Sequence, residues 1–359
     1  MPTPHPALVR AEAFCAAYNL RIPVLLAPMA GACPASLSIA VAAAGGMGAC
    51  GGLLMQPAAI KTWASEVRAA TNGGFQLNLW IPDAPATRDA VSEAAVRQFL
   101  GTWGPDVPAE AANVTLPDFA AQCQAMLDAG PAVISSIMGV YPPTFVAQMK
   151  ARGIRWFATV TTVQEALEAE AAGADAIVAQ GMEAGGHRGA FDPVQAESAM
   201  VGLFSLLPAV VDAVGIPVIA TGGIADPRGV AAALILGASA AQIGTGFLRT
   251  PEAKLSPTWA DAIGHTRPEE TIVTRAFSGR AGRSVATAYA RAANAADAPP
   301  PAPYPVQRGL TQSMRDAATK AGDIDRMQAW AGQSAGLAAA RPAAHLARDL
   351  WDGAVALLR

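Results

Sequence analysis

The 359-residue sequence predicts an α/β chain folded as a (β/α)8 TIM barrel, with a smaller additional domain over the face at the carboxyl ends of the strands. Three observations predict it. Short apolar or β-branched runs alternate with alanine-rich segments of helical spacing, the pattern of βαβ units. Eight such units fit within about 245 residues, the usual span of this barrel. The strand ends are crowded with glycine and carboxamide side chains. A doubly wound open sheet is the alternative arrangement of the same units.

Taken in order, the strands are read at 22–27, 47–50, 75–79, 132–137, 154–160, 175–180, 216–221 and 240–245. Helices at 57–70, 117–129, 162–172, 196–213 and 227–236 lie between them, with Thr162 and Asp226 at capping positions and Gly173 and Gly237 ending their helices. Residues 82–116 interrupt the third unit with glycine, proline and tryptophan, which predicts an ordered excursion near one barrel face. The expected division is a barrel over 1–246 carrying that insertion, a smaller substrate-side domain over 247–335, and a helix within 336–359 that returns to the barrel.

Composition narrows the function classes. With 52% hydrophobic residues and a net charge of −3, the chain can bury a large core, and it lacks the basic surplus of a nucleic-acid binder. Residues 22–60 carry no charge, yet proline and glycine punctuate the stretch too often for a membrane span. The four cysteines are widely separated with no C-x-x-C pair, which argues against a disulfide framework or a metal site. A reducing cytoplasm is the expected compartment, and the proline-rich opening MPTPHPALVR has no apolar signal region. Gly46–Gly51 matches G-x-G-x-x-G, but it follows a helix and enters a strand, the reverse of the dinucleotide-binding order.

In such a barrel the chemistry sits just after each strand. TGGIAD at 221–226 and QIGTGF at 242–247 place glycines on adjacent strand ends, where backbone N–H groups can converge on a phosphate. Asn78 and Gln180 end the third and sixth strands with carboxamides suited to the edge of a heteroaromatic ring such as a flavin, or to unsatisfied barrel backbone. Together these describe a flavin mononucleotide (FMN) site. His187, between Gly186 and Gly189 in a strand-end loop, is the candidate for proton transfer, with a structural hydrogen bond as the plainer role. His5, His265 and His345 fall in an expected tail, the second domain and a late helix. Arg188 either favours an anionic substrate or faces solvent, and Tyr304 in the proline-rich segment 299–305 is a candidate substrate-lining residue.

Five segments carry a family resemblance: LAPMAGA at 26–32, QLNLW at 76–80, VAQGMEAGGHRGAF at 178–191, PVIATGGIAD at 217–226 and AAQIGTGFLRTPEA at 240–253. Together they resemble the nitronate monooxygenases, formerly 2-nitropropane dioxygenases. SGRAGRS at 278–284, PYPVQ at 303–307 and WAGQS at 330–334 are more similar to that branch than to the related flavin-dependent enoyl reductases, which share AGGH. The resemblance implies non-covalent FMN and the oxidation of alkyl nitronates, or nitroalkanes, by O2 to carbonyl compounds and nitrite. It also implies flavin contacts at Met29, Asn78, Gln180, Gly185, Gly222, Gly223, Gln242, Gly244 and Thr245, with His187 as the catalytic histidine. An NAD(P)H-dependent quinone or enoyl-thioester reductase and a non-catalytic phosphate-ligand barrel are the competing readings. The oligomeric state is left open.

Overall fold

The computed structural model describes residues 5–359; the first four residues of the proline-rich opening lie outside the described residues. Among the described residues eleven strands are formed: β1 Val24–Leu26, β2 Gly48–Gly51, β3 Phe75–Trp80, β4 Val133–Ile137, β5 Arg155–Val160, β6 Ala176–Gln180, β7 Gly186–His187, β8 Val218–Thr221, β9 Ala240–Ile243, β10 Thr271–Thr274 and β11 Gly282–Val285. Eight of them make one parallel sheet in the order β1-β9-β8-β6-β5-β4-β3-β2. A parallel bridge from Leu25 to Met47 joins the two ends, so the sheet curls into the expected (β/α)8 barrel. All eight predicted strands are present with ends within two residues of those expected; the second and third run one residue further, and the eighth stops early because Gly244 leaves the extended region at φ −105° and ψ −82°.

Period-two alternation separates two cores. Val24 and Leu26 pack outward with the helices, whereas Leu25 points inward with Met47, Val133, Phe157, Val178, Ile219 and Ala240. The barrel floor is closed by a helix, Pro6–Ala17, whose Phe14 and Cys15 join that inner core. This corrects the tail reading: His5 is the N-cap of that helix, its Nδ1 accepting the Ala7 N–H at 3.2 Å.

The helices follow their caps. Pro57–Ala70 and Pro227–Ile235 begin on proline, and Asp226 accepts the Gly229 N–H at 3.0 Å. Val163–Ala171 carries a capping box between Thr162 and Glu165. The helix expected at 196–213 starts only at Leu203, because the Glu183 carboxylate caps Leu203 N–H from another loop at 2.9 Å. Helix Ala343–Leu357 packs against Pro227–Ile235 and against Ala35–Ala44.

A separate apolar cluster lies over the mouth. It combines Val96, Leu100, Val107 and Ala112 from the 82–116 insertion with Phe277, Tyr289, Val306, Leu310 and Met314 from beyond the eighth barrel strand. The insertion is thus ordered, with a helix at Ala90–Gly101, and shares its core with a segment far away in sequence. Beside this cluster β7 pairs antiparallel with β11, with His187 opposite Gly282.

Candidate active site

Five of the inward strand faces change character on their way up. Val133 is followed two residues later by Ser135, Phe157 by Thr159, Val178 by Gln180, Ile219 by Thr221 and Ala240 by Gln242. The same pleat therefore places apolar groups in the floor and hydrogen-bonding groups at the mouth. Above this polar collar lies a cavity of about 500 Å³, and Met29, Asn78, Gln180, Gly185, His187, Gly222, Gly223, Gln242, Gly244 and Thr245 all line it.

The collar amides are partly committed to the protein. Asn78 Nδ2 donates to Ser135 Oγ at 3.0 Å, and Gln76, which the sequence reading overlooked, donates to Gln242 Oε1 at 2.9 Å. Gln180 is tied at both ends, with Nε2 donating to the His187 carbonyl at 3.1 Å and Oε1 accepting from Gly189 N–H at 2.8 Å. Its carboxamide holds the histidine loop against the barrel.

On one side of the cavity glycines are required by conformation and by space. Gly222 and Gly223 stand at φ +103° and +70°, in the left-handed region that side chains disfavour. A Cβ on Gly185 would lie 2.4 Å from Gly332 N and 2.9 Å from Thr245 Oγ1. The strap Ala331–Ser334 runs across these turns: Gly332 N–H donates to Thr245 Oγ1 at 3.0 Å, Gln333 N–H to the Glu183 carbonyl at 2.9 Å, and Ser334 Oγ to the Gly223 carbonyl at 2.5 Å.

On the other side His187 stands between two indoles, 4.6 Å from Trp80 and 4.8 Å from Trp330, both edge-on. Its Nε2 is 2.7 Å from Ser278 Oγ. Burial, and then the nearby positive charges of Arg280 and Arg308, push its pKa down to about 3, so the ring is neutral at neutral pH. Arg280 is paired with Asp83 of the insertion at 3.0 Å, while Arg308 lines the cavity with no side-chain hydrogen bond or ion pair to the protein among the described residues.

Tyr304 does not line the cavity. Its ring packs 5.2 Å from Trp80, and its hydroxyl is buried without a protein partner among the described residues. Arg188 is neither solvent-facing nor in the cavity wall; it is 2% exposed and donates to the Gly181 carbonyl at 2.7 Å, bracing the loop from behind. Trp80, Ser278, Arg280, Arg308 and Trp330 went unassigned. The motifs that hold all of these but Arg308 are visible in the sequence, but their convergence on His187 depends on long-range contacts.

Fold and site together define a barrel enzyme with one small-molecule cavity at its mouth, glycine-lined on one flank and histidine-bearing on the other. The nitronate monooxygenase family model matches residues 12–353. The chain belongs to that family of oxidoreductases. It is 37% identical to a nitronate monooxygenase of Paraburkholderia phytofirmans, covering 91% of both chains, and 36% identical to one of Pseudomonas aeruginosa, covering 95% of this chain and 98% of that one. Among solved structures, nitroalkane oxidase from Streptomyces ansochromogenes superposes with a TM-score of 0.86 at 34% identity, over 96% of this chain and all (100%) of the other. FabK from Thermotoga maritima gives 0.74 at 27% identity, over 96% of each.

Proposed function

We propose that the chain oxidises alkyl nitronates, and more slowly neutral nitroalkanes, with O2 to carbonyl compounds and nitrite, using bound FMN. The observation that carries this reading is the pairing of a neutral histidine, flanked by Arg280 and Arg308, with a glycine cradle across one cavity. The residues present fit FMN: the turns at Gly222–Gly223 and Gly244–Thr245 offer close backbone approach to a phosphate, and Asn78 and Gln242 keep amide valences open toward a ring. Met29, Gln180 and Gly185 would complete its surroundings. FMN, when bound, supplies one-electron chemistry with O2.

The protein's own part is binding, orientation and proton handling. Arg308 favours an anionic nitronate electrostatically, while Trp80 and Trp330 fix the imidazole plane and narrow the space around it. With so low a pKa, His187 is in its acceptor form at working pH but is a weak base, which favours preformed nitronate over nitroalkane. Tyr304, behind Trp80, supports this wall. We assign the barrel to 1–246, the cover to the insertion together with 247–335, and the returning helix to 336–359.

The AGGH string at 184–187, which flavin-dependent enoyl reductases share, keeps an NAD(P)H-driven reduction as the second reading. Anaerobic mixing decides between them. Bleaching of the yellow protein by a nitronate, with oxygen uptake and nitrite release on aeration, is the expected result. Rapid bleaching by NADH without nitronate turnover would establish the reductase, and a colourless protein inert to both would leave only a phosphate-ligand barrel. No helix among the described residues is long and apolar enough to cross a membrane.

A further inference from the structure

The hydroxyl proton of Ser278 can be located by hydrogen-bond accounting. Ser278 is 1% exposed, and its Oγ is 2.7 Å from His187 Nε2, 3.3 Å from the Arg280 carbonyl oxygen and 3.3 Å from Arg280 N. Arg280 N–H can only donate, so the serine oxygen accepts there. The Arg280 carbonyl belongs to a residue 4% exposed and receives no other hydrogen bond among the described residues. A buried carbonyl needs a donor, and the Ser278 O–H is the one within reach. With that proton committed to the carbonyl, the short contact to Nε2 is satisfied only if the imidazole donates. The opposite ring nitrogen, Nδ1, bonds no protein group among the described residues and is not sealed from solvent.

Resting on the assignment of His187 to substrate, we infer that Ser278 is a positioning residue that locks His187 as the Nε2–H tautomer, so that the bare Nδ1 lone pair is what a nitroalkane meets. The step balances simply. The α-proton of a nitroalkane moves to Nδ1, the C–H electron pair becomes the C=N bond of the nitronate, and the nitro oxygens take the negative charge. The resulting imidazolium keeps its Nε2–H donated to Ser278. A histidine of the other tautomer would present a donor to the substrate and could not take this proton.

The chain has four histidines, so 15N-histidine labelling of the protein as isolated gives a readable spectrum, with His187→Asn identifying the relevant ring. The expected result is a protonated Nε2 and an unprotonated Nδ1 at neutral pH, a mixture of tautomers in Ser278→Ala, and the original pattern in Ser278→Thr, which keeps the hydroxyl. In kinetics, Ser278→Ala should lose about tenfold more turnover on a neutral nitroalkane than on its preformed nitronate, equivalent to ~1.4 kcal/mol. A wild-type spectrum with the proton on Nδ1, or one that Ser278→Ala leaves unchanged, overturns the inference even if nitronate oxidation is intact. Absence of oxygen uptake on any nitronate overturns the oxidase reading instead, and the spectrum still decides the tautomer.

Discussion

Replacing Gly185 by alanine tests the strap and the cradle together. The new Cβ would meet Gly332 N at 2.4 Å and Ala331 C at 2.6 Å, both backbone atoms that no rotamer change can remove. Restoring ordinary contact at 3.4 Å requires the strap to retreat by 3.4 − 2.4 = 1.0 Å. That displacement acts directly on the Gly332 N–H bond to Thr245 Oγ1 and on its neighbours at Glu183 and Gly223. Each such bond contributes about 0.5–1.5 kcal/mol net, and overpacking adds about 1–3 kcal/mol. Allowing for partial relaxation, the closed strap loses about 2–4 kcal/mol, which corresponds to roughly 30- to 700-fold weaker flavin binding if strap and cofactor are coupled. Flavin fluorescence titration of the variant measures this. Gly74→Ala is the control, since its Cβ would find nothing closer than 3.9 Å. Equal flavin affinity in Gly185→Ala and wild type would refute the coupling of strap to cradle.

Two further predictions concern charge. His187 has a lower pKa folded than unfolded, so the unfolded chain binds more protons between about pH 6.5 and 3 and stability falls as pH drops through that window; His187→Asn should lose less melting temperature on acidification than wild type, and parallel losses would contradict the depressed pKa. Asp83→Ala removes the ion-pair partner of Arg280, whose side chain is 4% exposed, and should destabilise the cover by about 2–4 kcal/mol in denaturant unfolding, whereas an unchanged midpoint would show that the pair contributes little.

What the sequence disclosed and what it hid follow from the range of the interactions. The strands and the helices from Pro57, Thr162 and Asp226 were legible because apolar runs, proline and local caps act within a few residues. The late start of the helix at Leu203 was not, because its cap comes from Glu183 in another loop. The glycine turns and His187 were legible because strand-end positions define the barrel mouth. For Gln180 the sequence leaves a ring contact and a backbone partner both open; that its amide reaches the loop seven and nine residues onward is set by how that loop folds back, which no local pattern reveals. Ser278, Arg280 and Trp330 reach the histidine through the β7–β11 pairing, which two-residue β7 is too short to announce.

The apolar cluster joining Val96 and Leu100 to Tyr289, Val306 and Met314 makes the roof of the cavity a single solid assembled from two stretches of chain. Neither stretch can drift on its own, because a volume change in one must be matched in the other. Chimeras that exchange only the earlier stretch with a relative would inherit mismatched halves, so transplanting substrate preference between barrels of this kind calls for moving both pieces at once.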